Sequence, residues 1–443
     1  MPQGSAGTYV VGMTEATDGP ATSRESGLPV TGPEWMYDDL LAASHLLAAH
    51  QLPELLSRQG ELLGVSEPIA YLADLQQQVL IAFLGSNPPV LHETVVPLAV
   101  DTTLAGRAYQ HDEVLTQDLP GGRLRVWLPL LSGSDRLGVL TVVVPDPAAW
   151  HAADGLLGRR LRRFAALAAM LIAAKTLYGD VLVRLRRRSE MGLAAEMQWS
   201  LLPPLTFACR EVTVAAALEP AYQVAGDSVD YAVDAGCVRI GVFDGMGHGL
   251  QSAQLAALTV AAYRNARRSY RTLTETARAI DGALLAGFGG DAFATGVLAQ
   301  LDTDTGRLEW VNAGHPEPLL LRNGRLVKTL HADPAPPLGL GHLRDEDQTG
   351  TAYVVGAEQL EPGDRVLLYS DGVTEARSPD GEFFGVEQLV ELLTRNLASG
   401  LPTPETMRRV VRTLLTHQQG QLSDDATLLL LEWRSGNEQA LLP

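Results

Sequence analysis

The sequence predicts an α+β layered fold preceded by a second, smaller α/β unit. Three observations carry that expectation. After Pro204, runs of strand-length apolar segments are interrupted by pairs of helical segments. Ahead of them lies a long helical stretch, about 152–200, ending at Leu202-Pro203-Pro204, where paired prolines stop a helix. Before that stretch, residues 69–144 show short alternating or wholly apolar runs, the pattern of an antiparallel sheet.

Taken in order, residues 1–35 are rich in Gly, Ser, Thr and Pro without apolar period and read as a disordered lead-in. Apolar residues at helical spacing over 38–63, among them Leu40, Leu41, Leu47, Leu52, Leu55 and Leu56, predict two short helices. Strands are expected at 79–83, 94–99, 125–130 and 138–144. The stretch 152–200 carries Leu156, Leu161, Phe164, Leu167, Leu171, Leu182 and Leu185 and is expected as one stiff connector, with a loosely heptad-like seam that could pair with a second copy. Strands follow at 212–218, 238–243, 295–301 and 307–311, with helices at 251–268 and 273–286 between the second and third. Further strands are expected at 318–322, 325–330, 352–355 and 365–369. Helices at 386–397 and 404–417 precede a closing strand at 426–432, and 435–443 reads as a tail.

The chain has 443 residues, too many for one ordinary core, so two or three domains are expected. No basic start followed by an apolar stretch marks a secretory leader, and no apolar run approaches the roughly 20 residues of a membrane span. Cys209 and Cys237 are the only cysteines, which gives neither a disulfide framework nor a zinc motif and fits a reducing cytoplasm. The net charge of −18 opposes nucleic-acid binding. The basic clusters 159–163 and 184–188 read as solvated faces of long helices. His92 and His111 could serve a haem or metal, but isolated histidines usually sit on the surface or in structural bonds.

Four acidic motifs share one layout, an Asp at the edge of an apolar strand beside Gly or another Asp. They are Ala225-Gly226-Asp227-Ser228-Val229-Asp230, Phe243-Asp244-Gly245-Met246-Gly247-His248-Gly249, Tyr369-Ser370-Asp371-Gly372-Val373 and Ser423-Asp424-Asp425-Ala426-Thr427. Each alone is an ordinary turn; the ordered set is not. Carboxylates buried together at strand ends need a counter-charge, and hard oxygen ligands select magnesium or manganese. Glycine would let the backbone turn and present a carbonyl to the same ion, so Asp244 with the Gly245 carbonyl could bridge two metals. Such a pair activates a water and holds a phosphoryl group for in-line attack.

From about 190 to 433 the chain resembles the SpoIIE/RsbU branch of the PPM-type metal-dependent serine/threonine phosphatases. The resemblance covers Glu196-Met197-Gln198-Trp199-Ser200-Leu201-Leu202-Pro203, the four acidic motifs and Asn312-Ala313-Gly314-His315-Pro316. It also covers Leu338-Gly339, Glu361-Pro362-Gly363-Asp364, Ser370-Asp371-Gly372-Val373-Thr374-Glu375-Ala376 and Phe384-Gly385. It implies an α-β-β-α sandwich phosphatase domain, 205–434, with two manganese or magnesium ions at its edge. By motif position Asp244 bridges the metals, Gly245 ligates through its carbonyl, Asp371 and Asp424 complete one metal, and Asp227 serves the other. Asp244 and Asp371 are the catalytic candidates, with Asp230 and Asp425 behind the ligands. The chain departs from the family pattern at Ala225, Ser228 and Val229, which leaves a catalytically silent phosphoprotein-binding module as the alternative. Met246 stands where many PPM phosphatases have His, with His248 two places on; His315 reads as a turn-fixing hydrogen-bond partner.

Residues 38–178 resemble a GAF sensor domain through Val96-Pro97-Leu98, Thr103-Leu104-Ala105-Gly106-Arg107-Ala108 and Leu128-Pro129-Leu130 leading to Leu137-Gly138-Val139-Leu140. The connector then spans 179–204. With the cysteine usage and the long helical connector, the expectation is a cytoplasmic homodimer paired through the sensor and connector and answering an unknown small-molecule or protein signal. The phosphatase resemblance implies a phosphorylated STAS-domain anti-sigma-factor antagonist as substrate, and neither nucleic acid nor membrane is expected as partner. No kinase-like segment follows Trp433, so the opposing kinase is expected on another protein.

Overall fold

The computed structural model describes residues 34–85, 96–152, 155–223, 226–333, 335–343, 353–419, 422 and 424–434. Residues 1–33 of the expected lead-in, the tail 435–443, His92, Ala225 and Ser423 lie outside the described residues, while residues 34 and 35, expected in the lead-in, open the first helix.

The N-terminal unit runs α1 (Glu34–Ser44), α2 (Leu52–Leu62), β1 (Ser66–Ala73), β2 (Val79–Phe83), β3 (Leu98–Ala99), α3 (Leu104–His111), β4 (Leu115–Leu119), β5 (Arg123–Ser132), β6 (Asp135–Val144), α4 (Pro147–His151) and α5 (Leu156–Thr176). Its six strands form one antiparallel sheet in the order β3-β2-β1-β6-β5-β4. One face of the sheet and α2 and α5 share a core that includes Leu56, Leu72, Leu128, Leu140, Phe164 and Ile172. The other face buries Tyr71 and Trp127 in a cluster with Tyr109 of α3. Helix α3 starts where Thr103 Oγ1 accepts the Gly106 N–H, a side-chain cap for an otherwise orphaned donor.

The expected single connector is three helices, α5, α6 (Val181–Leu185) and α7 (Leu193–Leu201). Gly179 and Gly192 sit in the two breaks, where the backbone entropy of glycine disfavours continuation. Packing completes the separation. Leu182 and Leu185 are buried in the N-terminal core, whereas Ala195 packs on Leu218 of the following unit. The second basic cluster is likewise no solvated helix face. Arg186 Nε donates to the Ala73 carbonyl, Arg187 pairs with Glu196, and Arg188 Nη1 donates to Gln78 Oε1. In the first cluster Arg159, Arg162 and Arg163 are exposed, as expected.

The C-terminal unit continues with β7 (Thr206–Ala208), β8 (Val212–Glu219), β9 (Asp227–Asp234), β10 (Cys237–Gly245), α8 (Leu250–Arg268), α9 (Leu273–Phe288), β11 (Ala294–Asp302), β12 (Arg307–Ala313), β13 (Leu319–Arg322) and β14 (Arg325–Thr329). It closes with β15 (Gly356–Gln359), β16 (Arg365–Tyr369), α10 (Asp371–Thr374), α11 (Gly385–Ala398), α12 (Thr403–His417) and β17 (Ala426–Trp433). Two antiparallel sheets, β15-β12-β11-β10-β9 and β14-β13-β16-β17-β8-β7, face each other.

Strand β17 shows why they stack. All eight of its residues are buried, and the period of two sends Leu429 and Leu431 between the sheets and Leu428 and Leu430 toward α11 and α12. On the opposite sheet Val238, Ile240 and Val242 face the same inter-sheet core, while Phe243 and Leu298 face α8 and α9. The result is the α-β-β-α sandwich. Each fully buried Leu or Val in it contributes on the order of 1.5–3 kcal/mol relative to an exposed one.

Two strand expectations shift. Of the expected strand 352–355, residue 352 lies outside the described residues and 353–355 are not strand: Tyr353 is buried among α9 and β11 residues and its hydroxyl donates to Asp281 Oδ1. The edge strand is instead β15, whose sequence Gly-Ala-Glu-Gln carries almost no apolar signal. Of 94–99 only Leu98–Ala99 forms strand, residues 94 and 95 lying outside the described residues.

The two units meet through charge and hydrogen bonds. Glu405 on α12 is fully buried and receives Arg136 Nη1 from β6 at 3.4 Å, together with Arg408 and Arg409 from its own helix. Arg408 also reaches Asp101 at 2.6 Å and the Gln77 carbonyl at 3.3 Å. Gln76 Nε2 donates to Glu219 Oε2 at 3.1 Å.

Candidate metal centre

The centre lies at one end of the sandwich, where chain segments from both sheets approach. Asp227 opens β9 and Asp244 is next to last in β10, and the antiparallel register makes them direct partners. Asp371 follows β16 as the first residue of α10, and Asp424 and Asp425 precede β17. The ordered motifs are therefore adjacent in space because β16 pairs with β17 and β9 pairs with β10.

Hydrogen bonds fix the carboxylates across the two sheets. Ser370 Oγ donates to Asp227 Oδ2 at 2.6 Å and accepts the Thr427 N–H at 2.9 Å. Asp425 Oδ2 accepts the N–H groups of Gly226 and Asp227 at 2.7 and 3.3 Å. The Asp425 N–H in turn donates to Asp424 Oδ1 at 2.9 Å. Ser252 Oγ, in the first turns of α8, donates to the Gly245 carbonyl at 3.0 Å and so orients it.

Two glycines are required here for space rather than for a left-handed backbone. A Cβ on Gly226 would lie 2.1 Å from the Gly245 carbonyl oxygen, and one on Gly372 would lie 1.9 Å from the Asp425 carbonyl oxygen. Any side chain would push the sheet ends apart.

The electrostatics follow from the crowding. Burial raises the Asp227 carboxyl well above its ordinary value, and Asp244 and Asp425 add to the effect. Asp244 is pushed up to about 7 by burial and by Asp371, Asp424 and Asp425. Asp371 is raised by burial, Asp424 and Glu375. Among the described residues no Lys or Arg forms an ion pair with Asp227, Asp244, Asp371 or Asp424. Nor do any three His, Cys, Asp or Glu side chains already form a closed metal-ligand set. The donor set nonetheless fits a hard divalent cation, because it offers only oxygen, is partly buried and is paired with no described Lys or Arg.

The neighbouring residues divide. Asp230 is turned to α8 and held by Arg264 at 2.7 Å and Arg267 at 2.9 Å, so it does not back the ligands. Asp425 instead accepts the backbone N–H groups of Gly226 and Asp227, beside the candidate ligands. Val229 packs in the inter-sheet core and Ser228 is buried on the strand, so neither departure from the family pattern crowds the carboxylates. His248 is exposed in the β10–α8 loop. His315 is buried, with Nδ1 2.8 Å from Thr295 Oγ1 and its backbone bracketed by the Asn312 side chain. Burial depresses its imidazole to about 4 against a weaker opposing effect of the Tyr369 backbone. The turn is fixed by the Asn312 side chain, while the His315 ring bonds to Thr295 on β11.

Sequence reasoning assigned no role to Ser370, Ser252 or Glu219. Ser370 had a signal, its place directly before Asp-Gly, but nothing local says which carboxylate it would meet.

The family model for stage II sporulation protein E (SpoIIE) matches residues 234–434. The phosphoserine phosphatase RsbU of Bacillus subtilis is 27% identical over 244 residues, covering 55% of this chain and 70% of RsbU. Protein IcfG of Synechocystis sp. is 31% identical over 138 residues, covering 31% of this chain but only 20% of IcfG. The solved SiaA-PP2C domain of Pseudomonas aeruginosa is 22% identical with a TM-score of 0.45, covering 54% of this chain and 94% of that one. The chain thus spans 20% of one curated relative and 70% of another. Among the described residues no helix is long and apolar enough to cross a membrane. Its C-terminal unit is a SpoIIE-type domain of the PPM phosphatase family, similar to that of RsbU.

Proposed function

We propose that the chain is a divalent-metal-dependent protein serine/threonine phosphatase controlled by its N-terminal unit. The observation that carries this reading is that Asp227, Asp244, Asp371 and Asp424 from two sheets lie near enough to repel one another, with no described Lys or Arg paired to them. Asp244 and the Gly245 carbonyl would be shared by two ions, Asp371 and Asp424 would help hold one, and Asp227 the other. Manganese or magnesium bound there supplies an activated water and a seat for the phosphoryl group. The chain's own part is orientation: Ser370 holds Asp227, Asp425 holds the Gly226–Asp227 turn, and Ser252 aims the Gly245 carbonyl.

The substrate on this reading is phosphoserine or phosphothreonine of a STAS-domain partner in a partner-switching pathway. Similarity to the phosphoserine phosphatase RsbU supports the class of bond broken. Residues 38–178 act as a GAF-like sensor, 179–204 as connector and 205–434 as catalytic domain, in a cytoplasmic homodimer. Leu177 and Tyr178, 81% and 83% exposed at the first break of the connector, support a surface that a second copy covers. Light scattering that finds only monomer at working concentration would remove the dimer from this reading.

The decisive experiment supplies manganese and an aryl phosphate. Asp371→Ala should abolish hydrolysis, and wild-type turnover in that variant would refute the assignment. A phosphorylated STAS domain tested beside small phosphate esters then decides the substrate class.

A further inference from the structure

A second charged site lies on the outer side of the sandwich, where α11 and α12 meet the N-terminal unit. A cavity of about 330 Å³ is lined there by Arg395, Arg408, Arg409, Arg412, Asn396 and Asp101, with none of the metal-centre residues among its walls. That volume admits about ten waters or one small molecule. It is too small for a docked helix.

The guanidinium groups are unequally used. Arg408 is committed: Nε and Nη2 donate to Glu405, Nη2 also to Asp101, and Nη1 to the Gln77 carbonyl. Arg409 gives Nε to Glu405, and Arg412 gives Nη1 to Asp101. Their remaining N–H groups, and the whole guanidinium of Arg395, meet no carboxylate among the described residues. Glu405 is itself divided among Arg136, Arg408 and Arg409. Asp101 is therefore the one carboxylate lining the cavity, and its seat on Arg408 and Arg412 shows that the arginines accept an oxyanion. In a chain of net charge −18 these guanidinium groups form a local positive patch on which a small anion can concentrate.

We infer that this cavity binds a small phosphate-bearing molecule, held by Arg395, Arg409 and Arg412, which replaces the Asp101 carboxylate on Arg412. Guanidinium forks match phosphate oxygens and make the stronger, charge-assisted class of hydrogen bond. Because Asp101 belongs to the N-terminal unit, occupancy would cut one charge contact between the two units.

The test uses the full chain, stripped of divalent metal by a chelator, with inorganic pyrophosphate as probe and calorimetry at fixed ionic strength as readout. Saturable binding is expected in the wild type and equally in Asp371→Ala, which separates this site from the metal centre. Arg395→Gln should weaken binding about tenfold, and the Arg409→Gln/Arg412→Gln pair by about a hundredfold, each lost charged contact being worth roughly a factor of ten. Asp101→Asn should tighten it by removing the resident competitor. Arg395 is exposed and has no described carboxylate partner, so its variant should fold even if the double variant does not. Wild-type affinity in Arg395→Gln, or the same heat from chloride at matched ionic strength, overturns the inference.

Discussion

The hydroxyl of Ser370 donates to Asp227 Oδ2 at 2.6 Å, a bond that joins the end of β16 in one sheet to the start of β9 in the other. Ser370 is wholly buried and its oxygen also accepts the Thr427 N–H. Ser370→Ala should therefore leave one buried N–H and one buried carboxylate oxygen short of a partner, costing about 1–3 kcal/mol of stability. Denaturant unfolding measures this; an unchanged midpoint would show that water takes the hydroxyl's place.

Asp244 faces Asp227 in register and carries the repulsion of three further carboxylates. Asp244→Asn should abolish phosphate release and raise the stability of the metal-free protein at pH 7 by about 1 kcal/mol, as is common when a strained functional group is neutralised. Manganese should then stabilise the wild type but not the variant. Thermal unfolding with and without the ion tests both halves.

Glu405 is where the two units share charge. Burial alone would raise its carboxyl, but hydrogen bonds and attraction from Arg408, Arg409 and Arg136 outweigh burial and hold it below the ordinary value. Glu405→Ala leaves buried guanidinium groups uncompensated and should cost about 3–5 kcal/mol. If the N-terminal unit controls the catalytic one through this contact, the milder Arg136→Gln should change turnover of an aryl phosphate. Identical turnover would place control elsewhere.

Glu219 gives the pH dependence a sign. Burial, against the hydrogen bonds from Gln76 and Ala221, raises its carboxyl from 4.5 to about 7. Between those values the folded chain keeps a proton that the unfolded chain releases, so its contribution lowers stability as pH rises from 4.5 to about 7 and is constant above. Glu219→Gln should flatten that part of the profile. Unfolding free energies of both proteins at the two ends of the window check it; parallel profiles would sink the assignment.

The sequence was most informative where local pattern and tertiary role coincide. Leu428 to Leu431 on β17 read as strand by themselves, and both faces are buried. The helix pair α8 and α9 was equally legible, α9 opening on the Thr272–Glu275 capping box. Strand β15 was not, since Gly-Ala-Glu-Gln is strand only because β12 offers it a partner. The connector misled for the opposite reason: its helical period is real, but α6 and α7 are claimed by different cores.

By itself the sequence determined which residues could serve as hard oxygen ligands, because an Asp beside Gly at a strand end is a local chemical fact. Tertiary structure alone decided which of them meet. It placed Asp425 beside the candidate ligands yet gave Asp230 to Arg264 and Arg267, and it brought Asp101 to Arg408 across 307 residues. Those outcomes depend on sheet register and domain packing, which are sums over many distant contacts and leave no mark at the residues they position.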